Sequence, residues 1–487
     1  MDITLPSFLI WFIYLSNVVF SILVMYYERK KPMISVLWIL TFIFIPFLGF
    51  VLYLLLGRNL RPDKKRIFKL KKDYDDMYKN WLTYEKHMLE EGDISFSDEN
   101  TSNYLNIIKM NINSCNSIYT EDNNITLFTH GKDKYKTLLE DIRNATETIN
   151  ILYYIINNDL IGRELIELLT LKAKEGVEIR LLYDHLGSFF TPFKLYNDLI
   201  KSGGKVNRFF PIKFGTFLRI NFRNHRKIVV IDGKIGYIGG MNIGDEYRGL
   251  SPKLCPWRDT HLRITGSAVG FLQERFLMDW YYSTNEQEIH EDSLLRKFFV
   301  LNPGDGDVGA QIISSGPDSN AEQIKRSYIK MISSAKNKLF IQSPYFVPDE
   351  SFLEALQIAS MSGVDVRVML PSVPDKRFVY HATTSYIRDL LEYNIKVYLY
   401  PGFIHSKTML VDDGVVSIGT ANMDIRSFAL DFEVNAIIYN SSFVLECSEV
   451  FENDMSISSI VTKDLYNSRS PWVKIQEGIS RLLSPLL

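Results

Sequence analysis

The sequence predicts an α/β protein of two similar lobes, each a mixed sheet flanked by helices, behind a hairpin of two membrane-crossing helices. Three observations predict it: two long uncharged stretches near the N-terminus, a strand–helix–strand pattern that occurs twice, and a short charged signature closing each copy. At 487 residues the chain is too long for one ordinary core. With 46% hydrophobic, 13% aromatic and 23% charged residues it is neither disordered nor fibrous. Cys115, Cys255 and Cys447 are scattered and include no CxxC pair, which argues against a disulfide framework or structural zinc and fits a reducing compartment. The expected divisions are 1–57 for the anchor, 58–115 for a basic juxtamembrane stalk and linker, 116–300 for the first lobe and 301–487 for the second.

Thr4–Tyr27 and Pro32–Gly57 contain no charged residue. At ~1.5 Å per residue either is long enough for a ~30 Å hydrocarbon core. The N-terminus lacks the basic region of a secretory signal and no small-residue cleavage site follows, so both stretches are expected to be retained. Residues 58–72 carry eight Lys/Arg against three in the turn 28–31, which predicts a cytoplasmic body on a multi-pass cell-membrane protein. The positive head and the mildly acidic remainder favour anionic membrane lipids as partners over nucleic acid. Residues 73–92 read as a helical stalk along the membrane surface, and the Asn-rich stretch 100–124 as a boundary loop.

In the first copy of the repeat, ILYYI precedes a helical pattern (Ile161, Leu165, Leu168, Leu169) and the strand EGVEIRLLYD; in the second, LFIQSPYFV precedes Phe352, Ala355, Leu356, Ala359 and SGVDVRVMLP. Each reads as a βαβ unit. The signatures are NHRKIVVIDGKIGYIGGMN and IHSKTMLVDDGVVSIGTAN, in which His225 and His405, Lys227 and Lys407, Asp232 and Asp412, and Asn242 and Asn422 all stand 180 residues apart. Asp-Gly pairs after the apolar runs predict hairpins. The period of 2 along a strand puts each His and its Lys on one side, and the odd offset of Asp232 and Asp412 gives them a supporting role.

A neutral imidazole is a nucleophile and a protonated one an acid. Two such residues, two lysines and two asparagine amides around one tetrahedral anion suit phosphodiester chemistry: one His attacks phosphorus, the other protonates the leaving oxygen, and Lys neutralises the equatorial oxygens. No metal and no other cofactor is required, and the residues leave open which histidine attacks.

The duplicated H-x-K-x4-D followed by G-x-x-N resembles the HKD signature of the phospholipase D superfamily. Each copy departs from it at the serine position, with Gly240 and Thr420. The resemblance implies a covalent phosphohistidine on one His and acid/base work by the other, with His225 as nucleophile and His405 as acid/base by analogy with two-lobed members. Over nearly its whole length, through FIPFLGFVLYLLLGRN, RNHRKIVVIDG, GGMNIGDEY, WRDTHLRI, SPYFVPDE and RLLSPLL, the chain is similar to the bacterial cardiolipin synthase family. That implies transfer of a phosphatidyl group between two phosphatidylglycerol molecules with release of glycerol. The alternative within the fold is a hydrolase acting on phospholipid or, against the acidic body, on nucleic acid.

Asp259 and Glu433 occupy matching places in DTHLRI and EVNAII and are candidates to orient a His ring. The first lobe has an insertion between Pro211 and His225 with Phe214, Phe217 and Leu218, read as a loop on the core or a lipid-admitting lip. The C-terminal stretch Trp472–Leu487 fits either a membrane surface or the body. GDGDVG at 304–309 reads as an interlobe linker rather than a dinucleotide loop, since Asp305 and Asp307 would repel a pyrophosphate. The remaining histidines, His261 beside Asp259 included, lack a repeated partner and are expected in ordinary surface or core roles.

Overall fold

The computed structural model describes residues 5–27, 32–45, 48–53, 79–89, 91, 95–211, 221–284, 302–319, 321–482 and 484. The first lobe contributes β1 (Thr120–Phe128), β2 (Thr148–Tyr153), β3 (Glu178–Asp184), β4 (Lys205–Phe209), β5 (Ile228–Ile231), β6 (Ile235–Gly239), β7 (Trp257–Arg258) and β8 (His261–Thr265). The second contributes β9 (Val308–Ser315), β10 (Lys338–Gln342), β11 (Phe346–Val347), β12 (Asp365–Pro371), β13 (Lys396–Tyr400), β14 (Phe403–Ile404), β15 (Thr408–Val411), β16 (Val415–Gly419), β17 (Met423–Asp424), β18 (Glu433–Tyr439) and β19 (Ser459–Ile460).

Fifteen of these strands form one sheet, in the order β4-β3-β2-β5-β6-β8-β1 for the first lobe and β9-β18-β16-β15-β10-β12-β13-β19 for the second, joined where β1 pairs antiparallel with β9. The halves mirror each other except at the far edge of the second, where β19 has no counterpart. In each, two parallel pairs (β2–β3–β4 and β10–β12–β13) adjoin an antiparallel hairpin (β5–β6 and β15–β16). The expected crossovers are the helices Leu160–Lys174 and Glu350–Met361. The repeated glycines Gly176 and Gly363 end them with φ of 95° and 94°, a left-handed turn that glycine adopts without strain. Because both faces carry helices, the strands are buried throughout rather than alternating, as in β2 and β18.

The Asn-rich stretch 100–124 is not a loop. It forms a 3₁₀ turn, the helix Leu105–Cys115 and the start of β1. Ile107, Ile108 and Ile112 enter the second-lobe core, and buried Asn111 bonds Gln311 (3.0 Å) and Ser327 (2.6 Å), so its polarity serves a network rather than a turn. The last part of the expected linker therefore belongs to the body. Residues 79–89 are helical as expected but also rest on the body: Trp81 packs on Phe271, and Glu85 accepts from the Tyr119 amide at 2.8 Å. In GDGDVG, Gly304 and Gly306 lie against the backbone of residues 122–124, where a Cβ would come within 2.2 and 2.0 Å of carbonyl oxygens; close approach explains these glycines.

At the N-terminus, Leu5–Tyr27 and Pro32–Phe44 are charge-free helices, and the Asn17 side chain donates to the Phe42 carbonyl at 3.0 Å above a cluster of Val24, Trp38, Phe42 and Tyr53. Among the described residues no helix is long and apolar enough to cross a membrane. The basic segment 58–72 and the insertion with Phe214, Phe217 and Leu218 lie outside the described residues.

Candidate active site

Neither H-x-K triplet lies within a strand. His225–Lys227 precedes β5, and His405–Lys407 links β14 to β15. The cause is interlobe pairing: the His225 amide donates to the Phe432 carbonyl (3.0 Å) and the His405 amide to the Arg258 carbonyl (2.6 Å), so each triplet leaves its own sheet to meet the other lobe. Buried Arg226 reinforces the first junction. It holds Asp279 through Nη1 (2.6 and 2.7 Å) and donates Nε to the Glu433 carbonyl (3.0 Å) and Nη2 to the Ser315 carbonyl (3.0 Å).

The two candidate carboxylates cross over. Glu433 of the second lobe holds His225 (Nδ1 to Oε1, 2.9 Å), and Asp259 of the first lobe holds His405 (Nδ1 to Oδ2, 2.7 Å). An ionised carboxylate only accepts, so Nδ1 carries the proton and Nε2 of each ring is left with its lone pair. Both carboxylates are buried, while the rings keep 13% and 9% exposure, enough to face a ligand. The departures at the serine position follow from the same geometry. A Cβ at Gly240 would lie 2.0 Å from Asp259 Oδ1, so only glycine leaves room there, whereas Thr420 Oγ1 donates to the Val434 carbonyl (3.1 Å) beside Glu433.

Lys227 and Lys407 each donate Nζ to the carbonyl of their own histidine at 2.5 Å. Burial lowers the Lys227 amine to about 7 and the Lys407 amine to about 8. Burial, then Lys227 and Lys407, pushes His225 well below the usual imidazole range; burial, then Lys407, takes His405 down to about 4. Burial raises Glu433 to about 7. Each histidine thus feels lysines of both lobes, as expected of one shared cationic cleft. Arrival of an anion between these groups reverses the shifts and favours the charged ammonium and imidazolium forms.

Asp232 and Asp412 are turned away from this cleft. At φ of 52° and 48° each accepts three backbone amides at the start of the strand paired beside its hairpin, β2 or β10: Thr146, Glu147 and Thr148 for Asp232, and Lys336, Asn337 and Lys338 for Asp412, at 2.7–3.0 Å. Asn242 is also committed, its Nδ2 donating to Tyr247 Oη (2.8 Å) and its Oδ1 accepting from Ile155 N (3.1 Å). By contrast Asn422 Oδ1 is buried with no hydrogen-bond partner among the described residues. His261 is buried with neither ring nitrogen bonded among the described residues, and burial, then Lys134, lowers it well below the usual imidazole range.

The repeat gave no sign of the aromatic walls. Tyr154 meets the His225 ring edge-on at 5.0 Å, and Trp257 and Phe403 lie 5.4 and 5.9 Å from the His405 ring. The loop after β3 rests on Tyr154, through Ser188 Oγ donating to its carbonyl (3.1 Å), and exposes Phe189 and Phe190, the latter 95% exposed. The available signals were Tyr154 in ILYYI and Trp257 in WRDTHLRI. Among the described residues no group of three His, Cys, Asp or Glu is placed to hold a metal ion.

The chain matches the family model described as cardiolipin synthase, phospholipase D-like domain, over residues 138–250 and 328–455, and the phospholipase D-nuclease N-terminal model over 9–58. It is 45% identical to the major cardiolipin synthase ClsA of Bacillus subtilis over 99% of this chain and 100% of that one. The chain belongs to the cardiolipin synthase family. A cardiolipin synthase of Listeria monocytogenes is 43% identical over 99% of this chain and 100% of its own, and one of Staphylococcus aureus 45% identical over 97% and 95%. In fold the chain is similar to the phosphatidylserine synthase of Haemophilus influenzae, with TM-score 0.60 and 16% identity over 78% of this chain and all of that one.

Proposed function

We propose that this cardiolipin synthase family member transfers a phosphatidyl group from one phosphatidylglycerol to another, yielding cardiolipin and glycerol through a phosphohistidine. The crossed His–carboxylate pairs carry the reading: two imidazoles, each with a free Nε2 and each oriented by the opposite lobe, flank one cationic cleft. In the first step Nε2 of His225 attacks phosphorus, the N–P bond forms, the P–O bond to glycerol breaks, and protonated His405 gives the departing alkoxide its proton. In the second, neutral His405 takes the proton of a hydroxyl on the second phosphatidylglycerol. That oxygen forms the new P–O bond as the N–P bond breaks, regenerating both rings. Lys227, Lys407 and Asn422 neutralise and bind the non-bridging oxygens, Asp259 and Glu433 fix the tautomers, and Asp232 and Asp412 position the hairpins.

The two N-terminal helices are read as a membrane-inserted hairpin with the body on the cytoplasmic side. Their outer faces expose Phe8, Trp11, Phe12, Leu15, Ile22 and Phe44, a surface that suits lipid and not water. The test is incubation of the purified chain with labelled phosphatidylglycerol. Glycerol plus a four-chain lipid supports transfer, phosphatidic acid supports hydrolysis, and unchanged substrate overturns both. His225→Ala and His405→Ala should each abolish turnover.

A further inference from the structure

The helix Pro471–Leu482 is packed with its polar side inward. Glu477 and Ser480 are buried, and Glu477 holds Arg469 with both oxygens, one of them at 3.0 Å. Arg481 reaches Asp389 at 2.6 Å. These ion pairs fix the rotation of the helix, because turning it to bury its apolar side would strip a buried carboxylate of its partner. The outward side is a stripe of Trp472, Ile475, Ile479 and Leu482, spaced 3, 4 and 3 residues apart and 67, 51, 53 and 76% exposed. Beside it opens a cleft of about 520 Å³ whose walls carry Arg388, Lys463, Arg469, Lys474 and Arg481 against Glu392 and Glu477. The three arginines are in ion pairs. Among the described residues Lys474 donates to the Asn467 carbonyl (2.8 Å), and neither Lys474 nor Lys463 is in an ion pair.

We infer that this helix lies flat on an anionic leaflet, its stripe at the acyl boundary and the cleft cations on lipid phosphates. An apolar stripe with a cationic flank is the composition of an interfacial helix. A second copy of the chain would bring the same cations and repel, whereas anionic headgroups complement them. The helix packs along Arg377–Ser385, and Lys376, at the start of that segment, acts electrostatically on His225.

A reporter is available at Gly478, where an added Cβ meets no atom within 4 Å. In the full chain with exposed Cys255→Ser, Gly478→Cys carries an environment-sensitive fluorophore, with the unsubstituted Gly478 chain as the labelling control. Reconstituted in nanodiscs of phosphatidylcholine with phosphatidylglycerol, it should emit further to the blue and about twofold more strongly than in phosphatidylcholine alone. Half-molar salt and Ile475→Ser with Ile479→Ser should each reverse the change. The His225→Ala background, which cannot turn over, should keep it, so the outcome is separate from the transfer reading. Equal emission in both lipids overturns the inference, as does a shift that follows protein concentration, which would mean a second copy covers the stripe.

Discussion

Gly240→Ser restores the superfamily signature yet should disable this enzyme. A side-chain carbon at 240 would stand 2.0 Å from Asp259 Oδ1, 2.9 Å from its Cγ and 3.1 Å from Oδ2. Ordinary contact needs about 3.4 Å, so the carboxylate must retreat by roughly 1 Å or more, away from a bond to His405 Nδ1 of 2.7 Å. The neighbouring strand is fixed by Thr260 N donating to the same carboxylate at 2.7 Å, so it cannot follow freely. Misplacement of about 1 Å in a catalytic group costs on the order of 10²-fold, and loss of the orienting carboxylate's charge up to ~10⁴-fold. The fall should be in kcat, with KM little changed, because His405 moves a proton rather than binding ground-state lipid. Glycerol release from labelled phosphatidylglycerol in mixed micelles measures it, with a thermal melt to confirm folding. Asp259→Asn should produce a similar loss, and the double variant little more than either single. A Gly240→Ser rate within about threefold of the parent, or fully additive losses, would refute the reasoning.

Asp232→Asn and Asp412→Asn remove a charged acceptor of three backbone amides and should each destabilise the fold by about 1–3 kcal/mol while leaving the rate per folded molecule near the parent's; melting curves beside active-site titration decide it, and a dead but undiminished fold would contradict the positioning role. Glu433, raised by burial to about 7, is protonated below that pH and no longer an acceptor-only anchor for His225, while Lys407, lowered by burial to about 8, loses its charge above it. Lys227, lowered by burial to about 7, likewise loses its charge above that pH, so kcat/KM should follow a narrow bell that climbs as Glu433 ionises on the approach to about 7 and falls as Lys227 and then Lys407 deprotonate between about 7 and 8, and an acid limb that survives Glu433→Gln would reject the assignment. Phe189→Ser with Phe190→Ser should slow turnover on bilayers and spare a short-chain soluble phosphatidylglycerol; equal loss on both substrates would count against a lipid-facing mouth.

The duplication was legible because a βαβ unit and a hairpin each leave a periodic trace, and both sheet halves follow it. What could not be read is which copy serves which. Asp259 and Glu433 were found by matching DTHLRI to EVNAII, but an offset within one copy says nothing of a partner across the junction, and each carboxylate holds the opposite lobe's histidine. Likewise the H-x-K triplets look like strand starts until Phe432 and Arg258 draw them across the lobe boundary. The Asn-rich segment misled because turn propensity yielded to burial of Ile107, Ile108 and Ile112. The C-terminal helix showed its amphipathicity, but the direction of its polar side is set by Arg469, outside the helix.

The most direct test is to quench the reaction within a turnover, digest the chain and locate any phosphatidyl or phosphate adduct by mass spectrometry. A single adduct on the peptide bearing residue 225, absent from His225→Ala, is the predicted result. Label on residue 405 instead, or steady transfer with neither ring modified, would contradict it.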